Sequence, residues 1–445
     1  MKSLAVKPLR VAIVGAGWAG LAAAVQAVQG GHRITVFEAA RQPGGRARGV
    51  PLRLPDGREV IVDNGQHILI GAYTECLRLM RSVGVNPDQA LLSRPLALRF
   101  ADGDGLQLPD WPMPLDVLAG ILAARGWRWS ERLALLRTAL GWWRAGFACA
   151  PTATVSVLCR SLPARVLAEF IEPLCVSALN TPVTEASGTV FLRVLHDALL
   201  AVRRGSRLLL PRADLGALFP QAAVRWIEAR GAQVLFGERI NAPLWQPPHW
   251  QIGGHEFDRV IWATSAPHAA SALAQSATTA PGSIAKKLRE WSDLAAGVQH
   301  RAITTVYAQA APSQAPLLPL PMLALRSAPG SPAQFVFERD AITRSSPPTD
   351  LLAFVISDSD GERTELEAQV VTQAQKQLGL TVQPRLTVTE RRATFACTAG
   401  LVRPPMAIAP QLLACGDHVE GPYPATLEGA VRSGRQAADH LGTCG

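Results

Sequence analysis

VAIVGAGWAGLAAAVQAVQGGHRITVFEAARQPGGR, residues 11–46, decides the fold of this chain. An apolar run, Val11 to Val14, meets Gly15, Gly17 and Gly20. A small-residue segment follows, and a second apolar run from Ile34 to Phe37 ends in Glu38. That order predicts strand, glycine turn, helix, strand, the βαβ unit that binds a dinucleotide. Gly15 allows the tight turn, Gly17 lets a pyrophosphate approach the backbone, and Gly20 lets helix and strand come close. The pyrophosphate then meets free N–H groups at the positive end of a helix. Glu38 lies 18 positions beyond Gly20, where a carboxylate can accept from ribose hydroxyls. A 2′-phosphate there would be repelled, which argues against NADP. A second glycine pair and an arginine, Gly44, Gly45 and Arg46, follow Glu38 after five residues.

Working outward, a chain of 445 residues exceeds one ordinary domain. With 48% hydrophobic and 18% charged residues it can bury a large core, which excludes disorder for most of its length. Seven cysteines are scattered without a CxxC pair, so neither a disulfide framework nor a zinc site is expected, and a reduced cytoplasmic setting fits. Residues 1–28 have the basic start and apolar stretch of a signal peptide, but the three glycines and Glu38 account for the same residues. No other apolar run reaches about 18 residues, so no membrane span is expected. The formal charge of +9 suits an anionic lipid surface, a phosphate-bearing ligand, or simply a solvated basic exterior. The arginines are dispersed and no nucleic-acid motif is present, so nucleic acid is not an expected partner.

Beyond the opening unit, residues 52–62 predict a hairpin turning at Asp56-Gly57, followed by the polar cluster Asp63, Asn64, Gly65, Gln66 and His67. A second hairpin is expected over 96–108. Five of the 11 tryptophans then fall between 111 and 143. Leu133, Leu136, Leu140, Trp143 and Phe147 mark one apolar face of a helix capped by Ser130 and flanked by Arg132, Arg137 and Arg144. That face suits either the core or a membrane interface. Helical pattern continues from 152 to 204 with breaks at Pro163, Pro173 and Pro182, and Arg193 and Asp197 are spaced to pair at i and i+4. A helix over 220–230 and strands over 233–236 and 260–264 restore the opening style. Strands over 302–308, 334–338, 351–356 and 386–395, with a helix over 363–378 and a Pro-rich connection over 311–332, form a β-rich block. Near the end, a strand leads into Gly416-Asp417, and Thr426, Glu428, Gly429 and Gly434 open a small-residue helix.

The two ends together resemble the FAD-dependent amine oxidase and phytoene desaturase superfamily. Glycine-glycine-arginine after the βαβ unit and the distant Gly416-Asp417 carry that resemblance. LNTP at 179–182, EAS at 185–187, FLRVLHDAL at 191–199 and LLLPRADLGALFP at 208–220 are similar to the squalene-associated FAD-dependent enzymes within it. The resemblance implies an α/β fold, a Rossmann-like FAD-binding domain of the GR2 type with an interleaved α+β substrate domain and a helical membrane-proximal part. Its segments would be FAD-binding 1–75, helical substrate domain 76–205, FAD-binding 206–285, β-rich substrate domain 286–405 and FAD-binding 406–445. It also implies FAD held by Gly15, Gly17, Gly20, Glu38, Gly44, Gly45, Arg46, Val234, Gly416, Asp417 and Thr426.

The implied chemistry is reductive. An allylic hydroxyl leaves a squalene alcohol and a hydride from reduced FAD replaces it. Such a substrate requires an apolar tunnel, access to the membrane in which it dissolves, and a dry pocket. A peripheral position on the inner face of the cytoplasmic membrane would provide that access. Departure of the hydroxyl requires a general acid, for which Asp197, Glu172, His196 and His67 are candidates. An ionisable group in an apolar helix favours Asp197, with Arg193 orienting it. The rivals are oxidative desaturation of a carotenoid, oxidation of an amine, and non-catalytic carriage of an isoprenoid. Amine oxidation would need an aromatic cage at the flavin, for which Tyr423 is the obvious candidate among only three tyrosines.

Overall fold

A computed structural model describes residues 8–313 and 315–442, so residues 1–7 of the signal-like start, and Cys444, lie outside the described residues. Six strands form the sheet that organises the molecule, in the order Gln233–Phe236, Arg33–Glu38, Arg10–Val14, Arg259–Trp262, Leu412–Ala414, Ala407–Ala409. The first five run parallel and the last is antiparallel. Val11 pairs Ile34 on one side and Arg259 on the other, so the strand before the glycine turn lies at the centre. Parallel neighbours have both faces covered, which is why these strands read as unbroken apolar runs.

The helix Trp18–Gln29 covers one face, and the terminal helix Leu427–Asp439 packs across it. Small residues set that crossing. A Cβ on Gly434 would stand 2.1 Å from the Ala19 carbonyl oxygen, and one on Gly20 would stand 1.9 Å from that of Gly15. The segments over 10–38, 233–262 and 407–439 are therefore one α/β layer assembled from distant parts of the chain.

A second sheet is antiparallel, in the order Met322–Ala324, Phe335–Glu338, Leu351–Ser357, His300–Ala310, Val382–Phe395. Alternation divides its side chains. Val336, Phe354 and Ile356 pack with Leu366, Val370 and Ala374 of the helix Arg363–Leu378, while Phe335, Phe337 and Val355 face the opposite way. Tyr307 of its long strand is fully buried and donates from its hydroxyl to the Asp63 carbonyl at 2.8 Å. The hairpin Gly49–Arg53 with Glu59–Asp63 is thereby fixed to this sheet.

The helical part departs from expectation in two places. Arg128, not Ser130, occupies the cap of the helix Trp129–Arg144, and its backbone N–H donates to Glu131 at 2.6 Å. Pro173 does not break a helix. A wide turn over Leu167–Ile171 runs directly into Glu172–Leu179, where the proline sits in the first turn and needs no N–H partner. The apolar face of 129–144, which suits either core or membrane interface, divides: Leu133, Leu140 and Trp143 are turned outward, Leu136 and Phe147 pack partly against the core, and Leu135 from the other side enters it. A small sheet over 244–257, which the sequence pattern had not indicated, stands beside the main one.

Candidate active site

At the carboxyl ends of the parallel strands a cavity of about 760 Å³ opens. This is where open α/β sheets bind ligands. Gly15 takes φ +113°, and a Cβ there would stand 2.7 Å from the Ala263 carbonyl oxygen. Gly17 is different, since nothing lies within 4 Å of where its Cβ would be. The space over this turn is thus open at the helix N-terminus. Gly44 and Gly45, with φ +113° and +62°, lie directly against it; Gly44 N–H donates to the Ala16 carbonyl at 2.9 Å and a Cβ on Gly45 would be 3.4 Å from Gly17 Cα. Two glycine turns, 27 residues apart from Gly17 to Gly44, thus form one cradle.

Glu38 closes the side of this cradle. Its carboxylate oxygens accept from Ala16 N–H at 2.7 Å and Ala40 N–H at 2.8 Å. Each oxygen keeps a lone pair free for a ribose hydroxyl. At the other end Arg46 donates to the Arg392 and Ala393 carbonyls and pairs with Asp417 at 2.5 Å. Burial alone would raise the Asp417 carboxyl, but the Arg46 guanidinium, with His418, overcomes it and holds the group well below the usual carboxylate range. Thr426 caps the terminal helix by accepting from Gly429 N–H at 2.9 Å, so a second helix N-terminus faces the same cavity.

The wall opposite this polar cradle is apolar. Phe335, Phe337, Val355 and Ile303 come from one face of the antiparallel sheet, with Ile68 and Ala178 beside them. His67 lies between the two environments. Its Nδ1 is 2.5 Å from the Gly65 carbonyl, which makes Nδ1 the donor to that carbonyl and leaves Nε2 as the nitrogen that takes up and gives back a proton. Burial pushes its pKa down, against the Gly65 carbonyl and with the help of Arg46. The segment carrying it is immobilised from three sides: Gln66 N–H donates to Thr305, Arg339 donates to the Gln66 side chain, and Leu215 N–H donates to Asp63. Asp63 is fully buried and burial pushes its carboxyl up to about 7.

Of the residues singled out from the sequence, Gly15, Gly17, Glu38, Gly44, Gly45, Arg46, His67, Gly416, Asp417 and Thr426 line this cavity. Gly20 acts one layer behind, as the close contact between helix and turn. Val234 is a correction. It pairs with Val36 in the sheet and does not line the cavity, which takes Arg239 and Ile240 from the loop that follows. Asp197 and Arg193 are corrections too, because neither lines the cavity and they do not pair. Arg193 is exposed, whereas Asp197 accepts from the Tyr423 hydroxyl at 2.7 Å and bonds His196 at 2.8 Å. The helical spacing between the two is regular, with Asp197 N–H donating to the Arg193 carbonyl, but the Asp197 side chain turns inward to Tyr423 and His196 while Arg193 faces solvent. Tyr423, the candidate for an amine-oxidase cage, is engaged by the same bond. Glu172 and His196 are also absent from the cavity lining.

Asp197 therefore latches the helical segment to the approach of the terminal helix. Replacing it by Asn keeps two hydrogen bonds possible, and we expect turnover within about threefold of the parent with FAD retained. A loss of about 10²-fold in kcat with FAD still bound would restore it as the proton donor. Residues that the sequence reading left without a role, Thr264, Ser265, His268 and Glu390, line the cavity. Thr264 and Ser265 follow directly on the buried parallel strand Arg259–Trp262, a position from which a ligand contact is readable. Glu390 lies on the sheet's outer strand and carries no such signal.

These features have counterparts in known proteins. Residues 18–442 match the model of the flavin containing amine oxidoreductase family. The chain belongs to that family. It is 28% identical over 451 residues to the hydroxysqualene dehydroxylase of Rhodopseudomonas palustris, covering 96% of this chain and 97% of that one. The hydroxysqualene dehydroxylase of Zymomonas mobilis is 26% identical with the same coverage. Among solved structures, an oxidoreductase from Methanosarcina mazei superposes with a TM-score of 0.71 at 15% identity, covering 97% of this chain and all of that one, a likeness of fold. This family member is an FAD-dependent oxidoreductase. The donor set fits its cofactor: two helix N-termini and the paired glycine turns for phosphates, Glu38 for ribose, and Arg46 with Asp417 at the far end.

Proposed function

We propose that the protein reductively removes the hydroxyl group of hydroxysqualene to give squalene. The observation that carries this reading is the pairing of a flavin cradle with a largely apolar wall, Phe335, Phe337, Val355 and Ile303 with Ser357 among them, across one cavity. Relatives named for this reaction match along nearly their whole length, which supports it. FAD, bound in its reduced form, supplies the hydride.

The remaining work falls to the chain. The apolar wall binds the hydrocarbon and keeps water from an allylic cation. His67 delivers the proton with which the hydroxyl departs as water, and Gln66, Thr305 and Arg339 hold it in place. The balance is hydroxysqualene plus reduced FAD giving squalene, water and oxidised FAD. Anaerobic incubation of the pure protein with hydroxysqualene and pre-reduced FAD should yield squalene and oxidised flavin in equal amounts. Absence of squalene, with phytoene oxidised instead, would make the protein a desaturase running the same cavity in the opposite redox sense.

A further inference from the structure

The helical segment leaves an apolar face without a protein partner. Trp129, Leu133, Leu140 and Trp143 form one stripe on the helix Trp129–Arg144, and Leu115, Leu118 and Leu122 form another on the preceding helix Leu115–Leu122. With Trp111 these side chains are between 38 and 69% exposed. The two helices are held as one body. Arg132 donates to the Leu122 carbonyl at 2.6 Å and the Ala124 carbonyl at 2.8 Å, and its guanidinium lies 4.8 Å from the centre of the Trp129 ring.

Charge borders this face. Residues 111–165 contain seven arginines against two carboxylates, and one of the latter, Asp116, is buried. By helical spacing Arg132 borders one side of the longer stripe and Arg137 and Arg144 the other. Arg125, Arg128, Arg137 and Arg144 are exposed and, among the described residues, form no ion pair.

We propose that this face docks on the surface of a bilayer containing anionic phospholipid. Soluble monomers rarely leave so many large apolar side chains together in water. Here Leu and Trp can enter the boundary between headgroups and acyl chains while the arginines reach phosphates. A second copy of the chain is a poorer occupant, because two-fold pairing would set one arginine rim against the other. Among the described residues no helix is long and apolar enough to cross a membrane, so the wedge lies on the surface. The same helical segment supplies Ser177 and Ala178 to the cavity lining. The proposal does not depend on the identity of the substrate, since docking is measured without one.

The test is cosedimentation of the full-length, FAD-loaded protein with vesicles of phosphatidylcholine alone and with about one third phosphatidylglycerol. The protein should pellet with the anionic vesicles at low salt and stay largely in solution with the neutral ones. A Trp129→Ser/Trp143→Ser double variant should lose binding about tenfold or more while keeping its flavin and its Tm, because both rings already face water. Arg137→Ser/Arg144→Ser should weaken the preference for anionic vesicles. The proposal is overturned if the parent stays in solution with both vesicles, or if the tryptophan variant pellets as the parent does. Sedimentation velocity showing a parent dimer that the tryptophan variant converts to monomer would assign the face to a second copy instead.

Discussion

Arg46→Ala should purify with little FAD and melt about 5 °C below the parent. Arg46 is the only residue of the glycine-glycine-arginine turn whose side chain reaches across to the last segment of the chain. It pairs with Asp417 and donates to two carbonyls of the strand Val382–Phe395. Asp417 is buried, so its charge is stable there only with a partner, and removing that partner costs about 2–3 kcal/mol once the partial exposure of Arg46 is allowed for. The sign of the pH dependence is a sharper check. In the parent the Asp417 pKa is depressed, so its contribution is complete above the unfolded value near 4 and is lost as pH falls through the folded value. Without Arg46, burial dominates and the folded pKa rises. The variant is then penalised increasingly as pH rises through that raised value. The Tm gap between parent and variant should be widest at about pH 8 and narrow toward about pH 5. Equal flavin content and a gap that does not change with pH would show that the pair contributes neither to binding nor to stability.

Why the flavin end was legible in the sequence and the reacting end was not follows from the physics of each. A phosphate cradle is made of backbone, and backbone that must turn at positive φ, or lie so close to another segment that an added Cβ would collide with it, needs glycine at fixed positions. Gly15, Gly20 and Gly44 meet such demands, so the letters alone point to the geometry. Glu38 is readable for a similar reason, because it ends a strand at a set distance from the turn. The apolar wall is made of Phe335, Phe337, Val355 and Ile303, whose chemistry is that of any core residue. Only the pairing of Phe335 with Val355 and of Ile303 with Ser357 shows that they share the face on the cavity.

Asp197 illustrates the opposite failure. An ionisable residue among leucines suggested an active-site acid, but burial beside Tyr423 and His196 satisfies it as a structural group. Regular helical spacing predicts its pairing with Arg193, and that spacing is present, but the carboxylate is turned to Tyr423 and His196 and leaves Arg193 in solvent. The outward stripe on Trp129–Arg144 shows a different limit. That helix is apolar on two sides, and periodicity finds both without saying which is covered. Leu135 decides it by being 2% exposed while Trp129 is 69% exposed.

His67→Gln should retain FAD, because Gln keeps a polar side chain of similar reach, and lower kcat for hydroxysqualene about 10²-fold. His67 is the member of the proposed acid candidates that lines the cavity. Its pKa is pushed below the ordinary value of 6.5 by burial and by Arg46, so the imidazolium that can donate a proton is populated mainly on the acid side of neutrality. The parent's kcat should therefore rise as pH falls below about 7 and level off beneath the His67 pKa. The His67→Gln variant should lose that titration while keeping its residual rate. Arg46 also bears on this step, since removing its charge would let the His67 pKa move back up and shift the parent's profile toward neutral pH. Arg46→Lys, which preserves the charge, should leave the profile in place even where it weakens FAD binding. A rate profile that keeps the same midpoint in His67→Gln as in the parent would assign the proton to another group, with Glu390 the next carboxyl in the cavity wall to replace.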